Sequence, residues 1–173
     1  MRVGITVHQR LEESAHWNWV RQEMDHLLAR LPLPVIGISS LAAGADQLFA
    51  NAILKQRGLL EVVIPFDGYE SIFSEDCDRE EFHRLVKLSI KSETLERHGT
   101  NEEAYFAAGK RVVDLSDLVV AVWDGKPAAG LGGTGDVVKY ASQQWKRIVH
   151  LNPNDLTRRD LKSVIESTGP AVS

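Results

Sequence analysis

Five short apolar runs rich in β-branched residues, each separated from the next by a segment of helical period, constrain this chain more than any other feature. The runs are RVGITV (2–7), PVIGIS (34–39), LLEVVIP (59–65), DLVVAVW (117–123) and KRIVHL (146–151). They are apolar on both faces, as strands are when helices cover both sides of a sheet. Strand and helix alternate through most of the chain, which predicts a mainly parallel sheet of at least five strands joined by right-handed crossovers.

The intervening segments carry their own signals. In 15–31, Trp17, Val20, Met24, Leu27, Leu28 and Leu31 form one stripe, and Pro32 ends the helix. In 44–57, Leu48, Phe49, Ala52 and Ile53 share a face, with Gly58 as the stop. A third helix falls within 76–90, carrying Phe82, Leu85 and Val86. Thr100 followed by Glu103 reads as a capping box opening a helix to about Leu115. A fifth helix starts near Gly135 and carries Val137, Val138, Ala141 and Trp145. The polar stretch 66–99 reads as a lid or as a plain connection. Residues 1–151 are expected to form one domain, and 152–173 a tail with one short amphipathic helix.

With 173 residues, 43% apolar and 25% charged, the chain has the makings of a single globular core. Cys77 is the only cysteine, and the six histidines show neither HxxxH nor HExxH spacing, so no disulfide and no metal site is expected. The start MRVGITVHQR is too short and too quickly polar for a secretory signal, and no run approaches ~18–20 apolar residues. The expected location is cytoplasmic, with no membrane partner.

In such a sheet, ligands bind beyond the carboxyl ends of the strands. Three segments there are unusual. TVHQR follows the first strand with Thr6, His8 and Arg10; a cation at His8 or Arg10 either meets a phosphate or carboxylate or lies solvated. SSLAAGADQL follows the second, with Ser39, Ser40, Gly44 and Asp46. Its small residues either accommodate an anion or let the helix pack tightly, and Asp46 suits the helix dipole without any catalytic role. WDGKPAAGLGGTGD follows the fourth. There Gly132, Gly133 and Gly135 admit a phosphate to the backbone with Thr134 adding a bond, or they form a flexible turn capped by Thr134 or Asp136. Neither the dinucleotide nor the P-loop fingerprint is present, since no lysine follows the last glycine. Asp124 is placed to accept bonds from ribose hydroxyls or to start a turn with Gly125, and Trp123 to stack on a base.

Taken together, GITVHQRL, SSLAAGADQLFA and EEAYFAAGKRVVDLSDLVVAVWDGKPAAGLGGTGDVVKYA resemble the SLOG superfamily. These are Rossmann-like domains related to the LOG phosphoribohydrolases (the lysine decarboxylase-like proteins) and to the DNA-processing protein A fold. The likeness runs from residue 2 to about 150. It implies a Rossmann-like three-layer α/β sandwich that holds a phosphate or ribosyl group. Gly132, Gly133, Thr134 and Asp136 would hold it with Ser39, Ser40, Gly44 and Asp46, and Thr6, His8 and Arg10 would close the site. Two departures stand out. Val7 follows Thr6 where the family usually has glycine, and Val137 stands where the hydrolytic PGGxGTxxE pattern has its glutamate.

The resemblance therefore leads to the expectation of a sensor or receptor for a nucleotide or nucleotide-derived small molecule, with no cofactor and with a homo-oligomer allowed. The alternative is an N-glycosidase in which Asp136 or Asp124 serves as the catalytic carboxylate. A formal charge of −4 and the lack of a basic stripe disfavour a DNA-binding module, so no DNA is expected.

Overall fold

The computed structural model describes residues 1–7, 14–125 and 133–161. Its elements in chain order are β1 (Arg2–Val7), α1 (Ser14–Leu28), β2 (Ile36–Ser39), α2 (Ala45–Lys55), β3 (Leu59–Ile64), a 3₁₀ turn (Tyr69–Ile72) and α3 (Asp76–Leu88). They continue with β4 (Lys91–Thr94), α4 (Asn101–Asp114), β5 (Leu118–Val122), α5 (Thr134–Gln143), β6 (Arg147–Asn152) and β7 (Thr157–Leu161). The seven strands form one sheet in the order β4-β3-β2-β1-β5-β6-β7. Every neighbouring pair is parallel except β6–β7. This is a Rossmann-like α/β sandwich, as the resemblance implies, and its mainly parallel sheet is the one that the alternation of the sequence predicts.

Strand alternation decides which helix covers which face. Val3 and Ile5 of β1, Leu118, Val120 and Val122 of β5, and Val149 and Leu151 of β6 pack against the apolar stripes of α1 and α2. The opposite face carries Val119, Ala121 and Ile148, covered by Val137, Val138 and Ala141 of α5, and Ile38 and Val63, covered by Ala108 and Val112 of α4. On that second face Arg2 forks onto Glu61 across the sheet, at 3.1 and 2.7 Å, while its Nε donates to the Leu115 carbonyl at 2.6 Å. The guanidinium holds the Glu61 carboxyl below the usual carboxylate range.

The polar stretch 66–99 is built, with α3 and β4 in it. Phe66, Tyr69, Phe73 and Phe82 pack edge to face with ring centroids 5.1 to 6.1 Å apart. That aromatic cluster sits with Leu60, Val62 and Ala50 and anchors α3 beside α2. At the start of α4 the capping box is present in both directions. Thr100 Oγ1 accepts from the Glu103 amide at 3.3 Å, and Glu103 Oε2 accepts from the Thr100 amide at 2.7 Å. Thr100→Ala removes one of these bonds and should lower the unfolding free energy by about 1 kcal/mol in urea titration, whereas Thr100→Ser should cost much less.

As far as Leu161, the tail is not the expected helix. Thr157–Leu161 form a strand antiparallel to β6, from Asn152↔Thr157 to Ile148↔Leu161, so the sheet extends past residue 151 to Leu161. The turn is set by Asn152, whose Oδ1 accepts from the amides of Asn154 and Asp155 at 3.0 and 3.4 Å. Residues 162–173 lie outside the described residues. Among the described residues no helix is long and apolar enough to cross a membrane.

Candidate functional site at the carboxyl edge of the sheet

The chain runs β1 to β4 outward in one direction, then returns to place β5 on the other side of β1. The topological switch point of the sheet is therefore the gap between β1 and β5. In open α/β sheets that gap opens a crevice at the carboxyl ends of the strands. The segments leaving β1 and β5 contain His8, Arg10 and Gly132, and these three candidates lie outside the described residues. The remaining candidates are all at or near the carboxyl edge, in two groups on opposite faces.

The first group belongs to the α1/α2 face. Ser39 ends β2 and its side chain points to α2, where its hydroxyl donates to Asp46 Oδ2 at 3.0 Å. The same hydroxyl accepts from the Leu41 amide at 3.0 Å, and the Ala42 amide reaches Asp46 Oδ2 at 3.4 Å. The loop from Ser39 to Gly44 thus curls around a carboxylate supplied by its own helix. Burial pushes the Asp46 carboxyl up to about 6, with the Ser39 hydroxyl and the backbone amides of residues 40–42 pulling the other way. Tyr69 lies close enough for the Asp46 charge to add to the burial that raises its phenol.

Gly44 is the N-cap of α2, with φ +96° and ψ −124°, a conformation that L side chains rarely adopt. A Cβ there would also lie 3.1 Å from Cη2 of Trp17. The small residue is required twice over, by backbone angle and by the indole above it. Ser40 stands beside this loop, half-buried.

The second group belongs to the α4/α5 face. Thr6 of β1 is buried and, by alternation, points to the same face as Gly4, toward α4 and α5 and away from Ser39. Gly133 is the N-cap of α5 in extended backbone, at φ −69° and ψ 167°, and Thr134 and Asp136 sit in the first turn with Thr134 buried. At the ends of β5 and β6, the Trp123 and His150 rings lie 4.8 Å apart. His150 Nε2 is 2.8 Å from the Trp123 carbonyl. Asp124 and Gly125 follow, the latter at φ +84° with His150 Cε1 3.8 Å from its Cβ position. Asn152 Nδ2 donates to the Asp124 carbonyl at 3.4 Å.

Val137 is buried 97% among Val113, Val119, Ala121 and Ile148, and its Cγ2 would lie 2.6 Å from a Cβ on Gly109. The position at which the resemblance puts a glutamate faces the core here. Among the described residues no group of three or more His, Cys, Asp or Glu side chains could hold a metal ion.

No known family model and no curated protein matches the sequence. Solved structures do match. DNA processing protein A from Helicobacter pylori, described for its single-stranded DNA binding mode, aligns with a TM-score of 0.61 at 15% identity over 87% of this chain. The protein of the same name from Streptococcus pneumoniae aligns with a TM-score of 0.58 at 14% identity over 86% of this chain. The fold is shared with DNA processing protein A. The chain spans only 64% and 49% of those two proteins.

These neighbours, which carry the SLOG-type Rossmann-like fold, overturn the expectation of a small-molecule partner with no DNA. The net charge of −4 sums the whole surface. It includes carboxylates far from the carboxyl edge, and so does not describe the local field that a strand would meet there.

Sequence reading misses three residues of this edge. Trp17 reads as part of the core stripe of α1, yet its place in the first turns after β1 already puts it at the carboxyl edge. Gln47 and His150, buried polar groups, carry no signal of their own in the sequence.

Proposed function

We propose that this domain binds single-stranded nucleic acid along the carboxyl edge of its sheet, holding backbone phosphates without turnover. The observation that carries the reading is the placement of two helix starts. α2 and α5 both begin at glycine N-caps, one on each face of the sheet, flanking the end of β1 at the switch point. Helix N-termini with small residues let phosphate oxygens approach amide groups. The fold they stand on is shared with a protein described for binding single-stranded DNA.

The N-glycosidase alternative lacks its principal group, because Val137 is in the core where the resemblance puts a glutamate. Asp136 lies one residue earlier, about 100° around the helix.

Fluorescence anisotropy with a labelled oligothymidylate of about 20 nucleotides tests the reading. Saturable binding is expected at low salt, with log K falling linearly against log salt at about −0.7 per phosphate engaged. Unlabelled single strand should compete far better than duplex or a nucleoside monophosphate. No binding at low ionic strength, or equal competition by the free monophosphate, would overturn it.

A further inference from the structure

Beside Gly44, between α1, α2 and α3, lies an open cleft of about 470 Å³. Its volume is within the range of sites that take small organic groups. Its rim begins at Trp17, half-buried against Gly44, and continues along α1 through Asn18 to Arg21. Arg21 is exposed and makes no ion pair or hydrogen bond among the described residues. The floor is α2, where Gln47 is buried 94%. Gln47 Nε2 donates to the carbonyls of Leu41 at 3.3 Å and Asp78 at 3.0 Å. Its Oε1 accepts no hydrogen bond among the described residues, which leaves an acceptor open to the cleft. The far wall is acidic, with Asp78 and Glu81 of α3.

Aromatic surface, an unpaired cation and a wall of acceptors form a specific combination. A flat group stacks on the indole, an adjacent anion meets the guanidinium, and a donor on the flat group meets Gln47 Oε1. We infer that this cleft is a nucleobase subsite, which stacks one base of the bound strand on Trp17, sets its 5′- or 3′-phosphate on Arg21, and selects bases with an exocyclic amino group. The inference rests on the single-strand reading above and names the specificity of the same edge. Cytosine and uracil are the discriminating pair, since they share a ring size and differ at the position where one bears an amino group and the other a carbonyl.

The test is anisotropy with labelled oligodeoxycytidylate and oligodeoxyuridylate of equal length on the intact chain, for wild type, Trp17→Ala, Trp17→Phe and Arg21→Glu. Wild type should bind the cytidylate roughly 3- to 10-fold tighter, by the worth of one hydrogen bond. Trp17→Ala should lose roughly 5- to 100-fold of affinity, and Trp17→Phe should keep most of it. Arg21→Glu, on an exposed position that leaves folding alone, should weaken both oligomers about equally and flatten the salt slope by about one phosphate contact. Wild-type binding with unchanged Arg21→Glu affinity overturns the subsite even if Trp17→Ala fails to fold. Wild-type affinities equal for the two oligomers overturn the amino selection. Absence of wild-type binding to either oligomer defeats the single-strand reading itself, and the subsite with it.

Discussion

Gly4→Val is expected to remove about 2–6 kcal/mol of unfolding free energy, the sum of an overpacking cost and a broken buried hydrogen bond. Gly4 is in the middle of β1, the central strand, and α4 crosses directly over it. A Cβ at this position would lie 2.3 Å from Ser116 Oγ and 2.8 Å from Val112 Cγ1. Ser116 cannot swing aside freely, because its hydroxyl is buried and donates to the Val112 carbonyl at 2.6 Å. Two losses therefore add, overpacking at about 1–3 kcal/mol and an unsatisfied buried group at about 1–3 kcal/mol. Urea titration measures the total. The double variant Gly4→Ala/Ser116→Ala should be less destabilised than the sum of its two single variants, since removing Oγ opens part of the space. A loss below about 1 kcal/mol for Gly4→Val would mean that α4 lifts from the sheet at little cost, contrary to its packing here.

The interior of this fold was legible because burial leaves a pattern. β1, β2, β3, β5 and β6 are covered on both faces and read as apolar runs; α1, α2, α4 and α5 bury one stripe each and read as helical period. The edges left no such mark. β4 is KSET and β7 is TRRDL; their side chains are exposed or half-buried, so no apolar run marks them and their pairing with β3 and β6 is what makes them strands. In the tail, NPND resembles a helix start, and only the Asn152 turn reveals that the chain folds back on β6.

The candidate edge was legible to the same depth. Gly44 and the small residues around it announced a close approach, but not by what. In the structure the approaching groups are Trp17 and, inside the loop, the carboxylate of Asp46. Composition could not foresee a loop filled by its own anion, because that depends on a hydrogen bond spanning seven residues from Ser39. Nor does a summed charge describe the local field, since Arg2, Arg84 and Arg111 are all committed to carboxylates while Arg21 stands unpaired among the described residues.

Asp46→Asn is expected to change how stability depends on pH more than any other single substitution at this site. The Asp46 carboxyl titrates near about 6 in the folded chain against 3.8 for an ordinary, solvated aspartate, so the folded state binds its proton more tightly. Stability contributed by that proton is fully present below 3.8 and is lost as pH rises through about 6. The whole difference is about 3 kcal/mol, and about 2 kcal/mol of it falls between about pH 4.5 and 7. Glu61 and Glu81 work in the opposite sense, since their arginine partners hold them below 4.5 and their contribution is lost only on further acidification. The window above 4.5 therefore isolates Asp46 from those two, and every other titratable group is common to both chains. Asparagine keeps an oxygen for the Ser39 hydroxyl and the Ala42 amide but has no proton to lose. Wild type should therefore weaken by about 2 kcal/mol relative to the variant from about pH 4.5 to 7, whatever fixed offset the substitution brings. Removing the charge should also bring the loop closer to neutral at working pH and tighten its hold on a strand phosphate about 10-fold, as one unit charge about 12 Å away allows at an effective dielectric of about 20. Parallel stability curves for the two proteins would mean that the loop keeps water on Asp46 and that its carboxyl ionises as an ordinary one.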